Sequence, residues 1–326
     1  MSSPSISQTS PHSSASLSRR SWLQGLVVGG MATTIGCLAE PGSENSLGSL
    51  DKVWGRQGVS EGRFQKPRAL TIDQQGDIYV VDMTSRIQKF DSEGNFLLGW
   101  KTPIDNQGRP TGLAVDRSGR LLVADTHYYR ILIYTPDGEL VQVFGGQRGS
   151  KLGEFGLVTD AIQHVDGHYY VSEYGDWDRI QLVNADGSFV KQWGGHGTEP
   201  GKFLRPQNLR LDPQDRIWVA DACNHRLQVF SSEGELITFW GTPGSRPGEL
   251  SYPYDLEFDE AGHVYVCEYG NHRIQKFTAE GESLGCWGTA GRKPGQLWNP
   301  WGIIRDLEGR LHVLDTNNHR IQRIWM

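Results

Sequence analysis

From residue 51 to the end of the chain, apolar and polar side chains alternate in short runs separated by glycine-containing turns. Asp215-Arg-Ile-Trp-Val-Ala-Asp221 has this period of two, and so does Arg226-Leu-Gln-Val-Phe230, with Ser232-Glu233-Gly234 turning the chain after it. Alternation over five to seven residues between close turns predicts short antiparallel strands. A helical solenoid would need runs of ten or more residues at period 3.6, and none survives between these turns.

The strand pattern recurs. Asp221-Ala-Cys-Asn-His-Arg226, Glu268-Tyr-Gly-Asn-His-Arg273 and Asp315-Thr-Asn-Asn-His-Arg320 align on one another, with weaker copies at Asp82 to Arg86, Asp125 to Arg130 and Glu173 to Arg179. The closing arginines at 86, 130, 179, 226, 273 and 320 are 44, 49, 47, 47 and 47 residues apart by subtraction. That period predicts six units of four strands arranged as a propeller, in which radial closure removes long exposed edges. The last unit stops at Arg320-Ile-Gln-Arg-Ile-Trp325, its third strand, and Asp51-Lys-Val-Trp-Gly55 stands alone at the start as a fourth strand. Residues 51–55 are therefore predicted to complete the sixth blade, since both would otherwise leave unpaired edges.

A second phrase leads into the first strand of most units: Gly62-Arg-Phe64 to Pro67, Gly201-Lys-Phe203 to Pro206, Gly248-Glu-Leu250 to Pro253 and Gly295-Gln-Leu297 to Pro300. With Trp-Gly or Phe-Gly at Trp54, Phe144, Trp193, Trp240 and Trp287, the chain resembles the NHL-repeat family over essentially all of its length after residue 50. The resemblance implies an all-β, six-bladed β-propeller with four antiparallel strands per blade, a funnel along its axis, and a last blade closed by the N-terminal strand. It also implies that the repeated acid–arginine pairs stabilise turns, so Arg86, Arg130, Arg226, Arg273 and Arg320 are set aside as scaffold, together with His225, His272 and His319. Peptidyl-hydroxyglycine lyases share this fold and hold zinc on histidines near the starts of inner strands. The residues after the inner-strand prolines here include no His. Related propellers with an axial Ca²⁺ use Asp, Asn and Glu, and ubiquitin-ligase members bind RNA or protein through the same face; no RING framework of Cys and His exists in this chain.

Composition adds three points. The 326 residues are 37% apolar and 21% charged, with 41 glycines and 11 tryptophans, which suits a turn-rich β fold. The net charge of −6 is spread along the chain, so no nucleic-acid partner is expected. The first 50 residues differ from the rest: Arg19-Arg20 precede a short apolar stretch from Leu26 to Ile35, and Thr34-Ile35-Gly36-Cys37 resembles a bacterial lipobox with Thr where Leu is commonest. Residues 1–37 read as a twin-arginine (Tat) export signal, with Cys37 as the lipidation site or an ordinary cleavage site as the alternative, and 38–50 read as a flexible tether. A periplasmic or other extracytoplasmic monomer follows, touching membrane only through that anchor. Cys223, Cys267 and Cys286 match no zinc or redox spacing and read as apolar fillers.

Departures from the repeat locate the candidate chemistry. At the second position after the inner-strand proline the units carry Ala69, Gly112, Asp160, Asn208, Asp255 and Gly302. Asp160, Asn208 and Asp255 on consecutive blades offer hard oxygens for Ca²⁺ or another divalent cation. The alternative for the same residues is hydrogen bonding to backbone or water in a polar channel. One residue earlier, Tyr254 and Trp301 form an aromatic wall with Arg68 beside it for an anionic group, rim packing being the alternative. The third unit has Val158 for proline and a motif one residue longer, and Glu173 and Glu268 replace the usual Asp, adding carboxylates to the ligand-facing set. Two functions fit: a binding module whose top face takes a protein, peptide or glycan, or a metal-dependent lyase or hydrolase with Glu173 or Glu268 as base. No Gly-x-Ser-x-Gly elbow, phosphate loop or Cys/His pair is present.

Overall fold

Each repeat unit folds as a four-stranded antiparallel meander, and six such sheets make a six-bladed β-propeller. The computed structural model describes residues 47–326. The inner strands are Pro67–Ile72, Gly112–Val115, Leu157–Gln163, Pro206–Leu211, Pro253–Phe258 and Gly302–Arg305. The blades are numbered one to six in that order.

Burial follows the alternation outward from the axis. In blade four the second and third strands, Ile217–Asp221 and Arg226–Phe230, are buried throughout, while the outer strand Leu236–Trp240 is half exposed. Middle strands are covered on both faces because each sheet packs between two others: Trp218, Val229, Leu256, Val264 and Phe277 form one cluster across blades four and five. The second recurring phrase supplies plugs. Phe64, Phe155, Phe203, Leu250 and Leu297 have no exposed surface, and a Cβ at Gly194 would stand 2.5 Å from the Phe203 ring. In five blades the glycine after the outer-strand aromatic, Gly55, Gly145, Gly194, Gly241 or Gly288, thus makes room for the plug of the next loop, whereas Trp100 of blade one is followed by Lys101.

Closure is as the strand count requires. Ser49–Trp54 pairs antiparallel with Arg320–Trp325, Trp54 opposite Ile321, as the outermost strand of blade six. Trp54 is buried and packs 5.9 Å from the Phe64 ring and 5.0 Å from the Phe90 ring of blade one. The strand begins at Ser49, and Leu47 N donates to Cys286 O of blade five at 3.3 Å. The last residues of the expected tether therefore belong to the propeller. Arg19, Arg20 and Cys37 lie outside the described residues, and among the described residues no helix is long and apolar enough to cross a membrane.

Candidate functional site

The repeated motif is scaffold, and the structure shows why. In blade four Arg226 donates to Asp221 Oδ2 at 2.8 Å and to the carbonyls of Thr198 and Lys202, while Asp221 Oδ1 accepts from Leu204 N. The pair thus clamps the loop that precedes its own inner strand. Glu173 and Glu268 occupy the same place and do not face a ligand, which corrects the expectation for both. Glu173 is fully buried, bonded by Arg179 Nε and Gly156 N; Glu268 is fully buried, bonded by Arg273, Asn271, Gln275 and Ser251 N. Burial pushes Glu173 up to about 7 and raises Glu268. A base held in such a clamp has no path to a substrate.

The motif histidines join blades. His319, His225 and His272 each sit in the left-handed backbone region and accept, through Nδ1, the backbone N–H of Lys66, Tyr252 and Asn299 on the following blade, at 3.0, 3.1 and 2.9 Å. In the lengthened third unit Asp178 takes this role, accepting from Arg205 N at 3.1 Å. The extra residue of that unit therefore sits beside an interblade clip, with His196 bonded to the other Asp178 oxygen.

A bulge builds the axial site. Register shifts at Pro67/Ala69, Val158/Asp160, Pro206/Leu209 and Pro253/Asp255 insert an extra residue at the start of the inner strand. Successive strand residues ordinarily point to opposite faces, and a bulge re-aims one of them. Consequently Arg68 with Ala69, Gln207 with Asn208, and Tyr254 with Asp255 all line one axial cavity, joined by Asp160, Gly112, Trp301 and Gly302. All six positions aligned in the sequence converge there. The cavity holds only about 20 Å³, space for a single water.

Inside it, the carboxylates tie neighbouring blades together. Asp160 Oδ2 accepts from Asn208 Nδ2 at 2.9 Å and from Leu209 N at 3.1 Å; Asp255 accepts from Leu256 N at 2.8 Å and, across the blade boundary, from Ile303 N at 2.9 Å. Their positive partner is Arg210, whose guanidinium lies 3.8 Å from Asp255 Oδ1 and donates to Leu256 O. Burial still pushes both Asp160 and Asp255 up to about 7 against the pull of Arg210. Two oxygens remain without a partner, Asp160 Oδ1 and Asn208 Oδ1. That is short of the six to eight that Ca²⁺ takes, and among the described residues no three His, Cys, Asp or Glu side chains form a metal-ligand group. These residues do not fit a Ca²⁺ site.

Above the cavity lies the mouth. Tyr254 stacks on Tyr269 with centroids 4.5 Å apart and 21° between planes, and Trp301 stands edge-on to both at 4.9 and 5.7 Å. Arg68 lies over the Trp301 ring at 5.4 Å, and Arg205 lies over Tyr174 at 4.8 Å and Tyr254 at 6.0 Å. The expected trio of Arg68, Tyr254 and Trp301 is thus brought together, and Arg205, Tyr174 and Tyr269 complete it from blades three to five. The sequence carried signals for the additions: Glu-Tyr-Gly occurs only at 173–175 and 268–270, and the residue before the proline is basic at Lys66, Arg109 and Arg205. A larger depression of about 650 Å³ lies away from this site on the outer edge of blade one. There Gly99 stands in the column filled by Gln192 and Phe239, which contact the motif arginines of blades three and four.

Residues 108–134, 203–230 and 250–277 match the NHL repeat. The matched segments lie in blades two, four and five. Among curated relatives of this propeller, NHL repeat-containing protein 3 of Mus musculus is 31% identical over 167 residues, covering 46% of this chain and 47% of that protein. Peptidyl-glycine alpha-amidating monooxygenase B of Xenopus laevis is 27% identical over 186 residues, 54% of this chain and 20% of that protein. The chain thus spans about half or less of these relatives. Of solved structures, a streptogramin B lyase superposes with a TM-score of 0.61 at 15% identity, covering 84% of this chain and 96% of that one. A Bacteroides thetaiotaomicron protein of unknown function gives 0.67 at 14%, covering 85% and 76%. At these identities the likeness is one of fold.

Proposed function

We propose that this propeller, with its NHL-repeat segments, is an exported binding module whose top-face mouth takes a protein or peptide ligand. The observation that carries this reading is the mouth itself: five aromatic and arginine side chains from separate blades or loops, Arg68, Tyr174, Arg205, Tyr254 and Trp301, gather over an axis closed to about 20 Å³. Aromatic and arginine side chains on a rigid scaffold are what interface anchors are made of, because they present much surface at little conformational cost. The closed axis favours a ligand that lies across the mouth over one that enters the channel. The glycine-rich, loop-built rim around it is held by the motif clamps, so the ligand meets a preformed surface. Export rests on Arg19-Arg20, with Cys37 as its anchor point.

The metal-dependent lyase or hydrolase reading is less well supported, since Glu173 and Glu268 are sealed in clamps and two axial oxygens alone lack partners. An immobilised-protein screen against peptide and glycan arrays tests the binding module. Any ligand found should lose at least tenfold in affinity with Trp301→Ala or Tyr254→Ala, with outer-edge substitutions such as Leu97→Ser silent. Ligands whose binding ignores the mouth variants and depends on the outer edge would overturn it.

A further inference from the structure

The geometry points to an oxyanion site at the mouth: we propose that Arg68 and Arg205 grip a carboxylate or phosphate group of the ligand, with Gln207 donating from below. This deepens the binding-module reading and rests on it. Arginine side chains in proteins are normally paired, and the chain's own motif arginines each have a carboxylate within reach. Arg68 and Arg205 differ. Arg68 makes no ion pair within 4 Å among the described residues, and burial, with Arg205 and Arg109 nearby, lowers its pKa, while Tyr174 and Tyr254 act in the opposite direction. Arg205 Nε is buried with no acceptor. Arg109 is occupied, donating to Met83 O and Gly108 O, so it adds positive charge without being available.

A second, independent observation comes from the floor. Gln207 is 7% exposed, lines the axial cavity, and its Nε2 has no partner. A buried N–H left without an acceptor loses its hydrogen bond to water and gains nothing in return, so an unpartnered donor beneath two unpaired guanidinium groups marks the place of an acceptor the protein does not supply. The faces of Trp301, Tyr254 and Tyr174 hold the guanidinium planes by cation–π contact, leaving their N–H edges for the ligand. Flat aromatic walls beside an anion favour a planar or aromatic neighbour on the ligand. Two sources share this chemistry, a carboxylate such as a peptide chain end or acidic side chain, and a phosphate ester.

Saturation-transfer NMR on the whole chain tests it with benzoate, benzamide and inorganic phosphate as probes. Benzoate should bind saturably, weaken with rising salt, and exceed benzamide at least tenfold. Arg68→Gln and Arg205→Gln should each lower benzoate affinity about tenfold. Gln207→Glu, which keeps both arginines and adds a carboxylate to the floor, should do so more strongly, so that loss does not depend on a variant that folds poorly. Displacement of benzoate by phosphate would assign the site to phosphate-bearing ligands; persistence of benzoate would assign it to carboxylates. Equal binding of benzoate and benzamide, or benzoate binding indifferent to all three variants, overturns the proposal. If that happened while array ligands still depended on Trp301, the binding module would stand without its anion.

Discussion

Asp255 shows how one side chain serves two blades. Its oxygens accept from its neighbour Leu256 N and from Ile303 N of blade six, with Arg210 alongside. Its folded pKa stands near 7, above the ordinary 3.8, with burial as the largest cause. A raised folded value means the native state binds the proton more tightly, so this group's contribution to stability is present below about pH 4 and is lost as pH rises to 7. Every tenfold difference in proton affinity between the folded and unfolded chain is worth about 1.4 kcal/mol. Asp255→Asn, which removes the titration but turns an N–H₂ toward a backbone donor, should be less stable than the parent at pH 5, and urea unfolding should show that gap narrowing by pH 8. A gap that widens with pH would contradict the assignment. Arg210 itself was hidden in the sequence because strand alternation makes a polar residue at that position unremarkable. Only the column exposes it: Arg210 and Glu257, an ion pair at 3.6 Å, stand where the other blades carry Thr71, Ala114, Ile162 and Ile304.

At the scale of the loops, the histidine clips make the joints between blades sensitive to pH. Burial lowers the pKa of His225, His272 and His319 below the ordinary 6.5. The unfolded chain therefore binds protons first, and this part of the stability is full above pH 6.5 and lost as pH falls below it. Protonation also turns the accepting Nδ1 into a donor facing a backbone N–H. Blade three supplies the control, since Asp178 makes the same clip with a short side chain in the same backbone conformation. A triple His225→Asn, His272→Asn, His319→Asn variant keeps an acceptor that does not titrate. Its melting temperature should fall less than the parent's between pH 7 and 5, and parallel pH profiles would rule the clips out. The scaffold role of these histidines was legible because they recur with the arginines. Their partners were not, because the bonds cross from one unit to the next and alignment within a unit cannot show them. The bulges were hidden for a related reason: an inserted residue leaves the period-two pattern nearly intact while re-aiming Arg68 and Tyr254.

For the whole molecule, repetition made the architecture plain while the ligand site lay in what does not repeat. Six aligned copies gave the blade number, the four strands and the closing strand, because each copy repeats the same packing problem. Tyr174, Tyr269 and Arg205 gather at the mouth only once the ring has closed. Closure itself rests on one strand. Deleting residues 49–54 removes an entire ladder and buried Trp54, and loss of a buried Trp alone costs about 3–5 kcal/mol. Thermal unfolding of the truncated chain should show a drop of ten degrees or more or a loss of cooperativity; an unchanged melting curve would deny the strand its role.

The same strand has a mechanical side. Ser49 lies opposite Trp325 and Trp54 opposite Ile321, so the two chain ends leave the sheet side by side at one end of the pairing. Tension applied between them would load one rung of hydrogen bonds at a time, peeling the strand as a zipper opens, whereas pulling from opposite ends would shear all rungs together. Held by its two ends, the ring would give way at blade six under small force. Held by its N-terminus with the load taken up at the mouth, it would pass the tension from the last blade through the Trp54 contacts to Phe64 and Phe90 of the first.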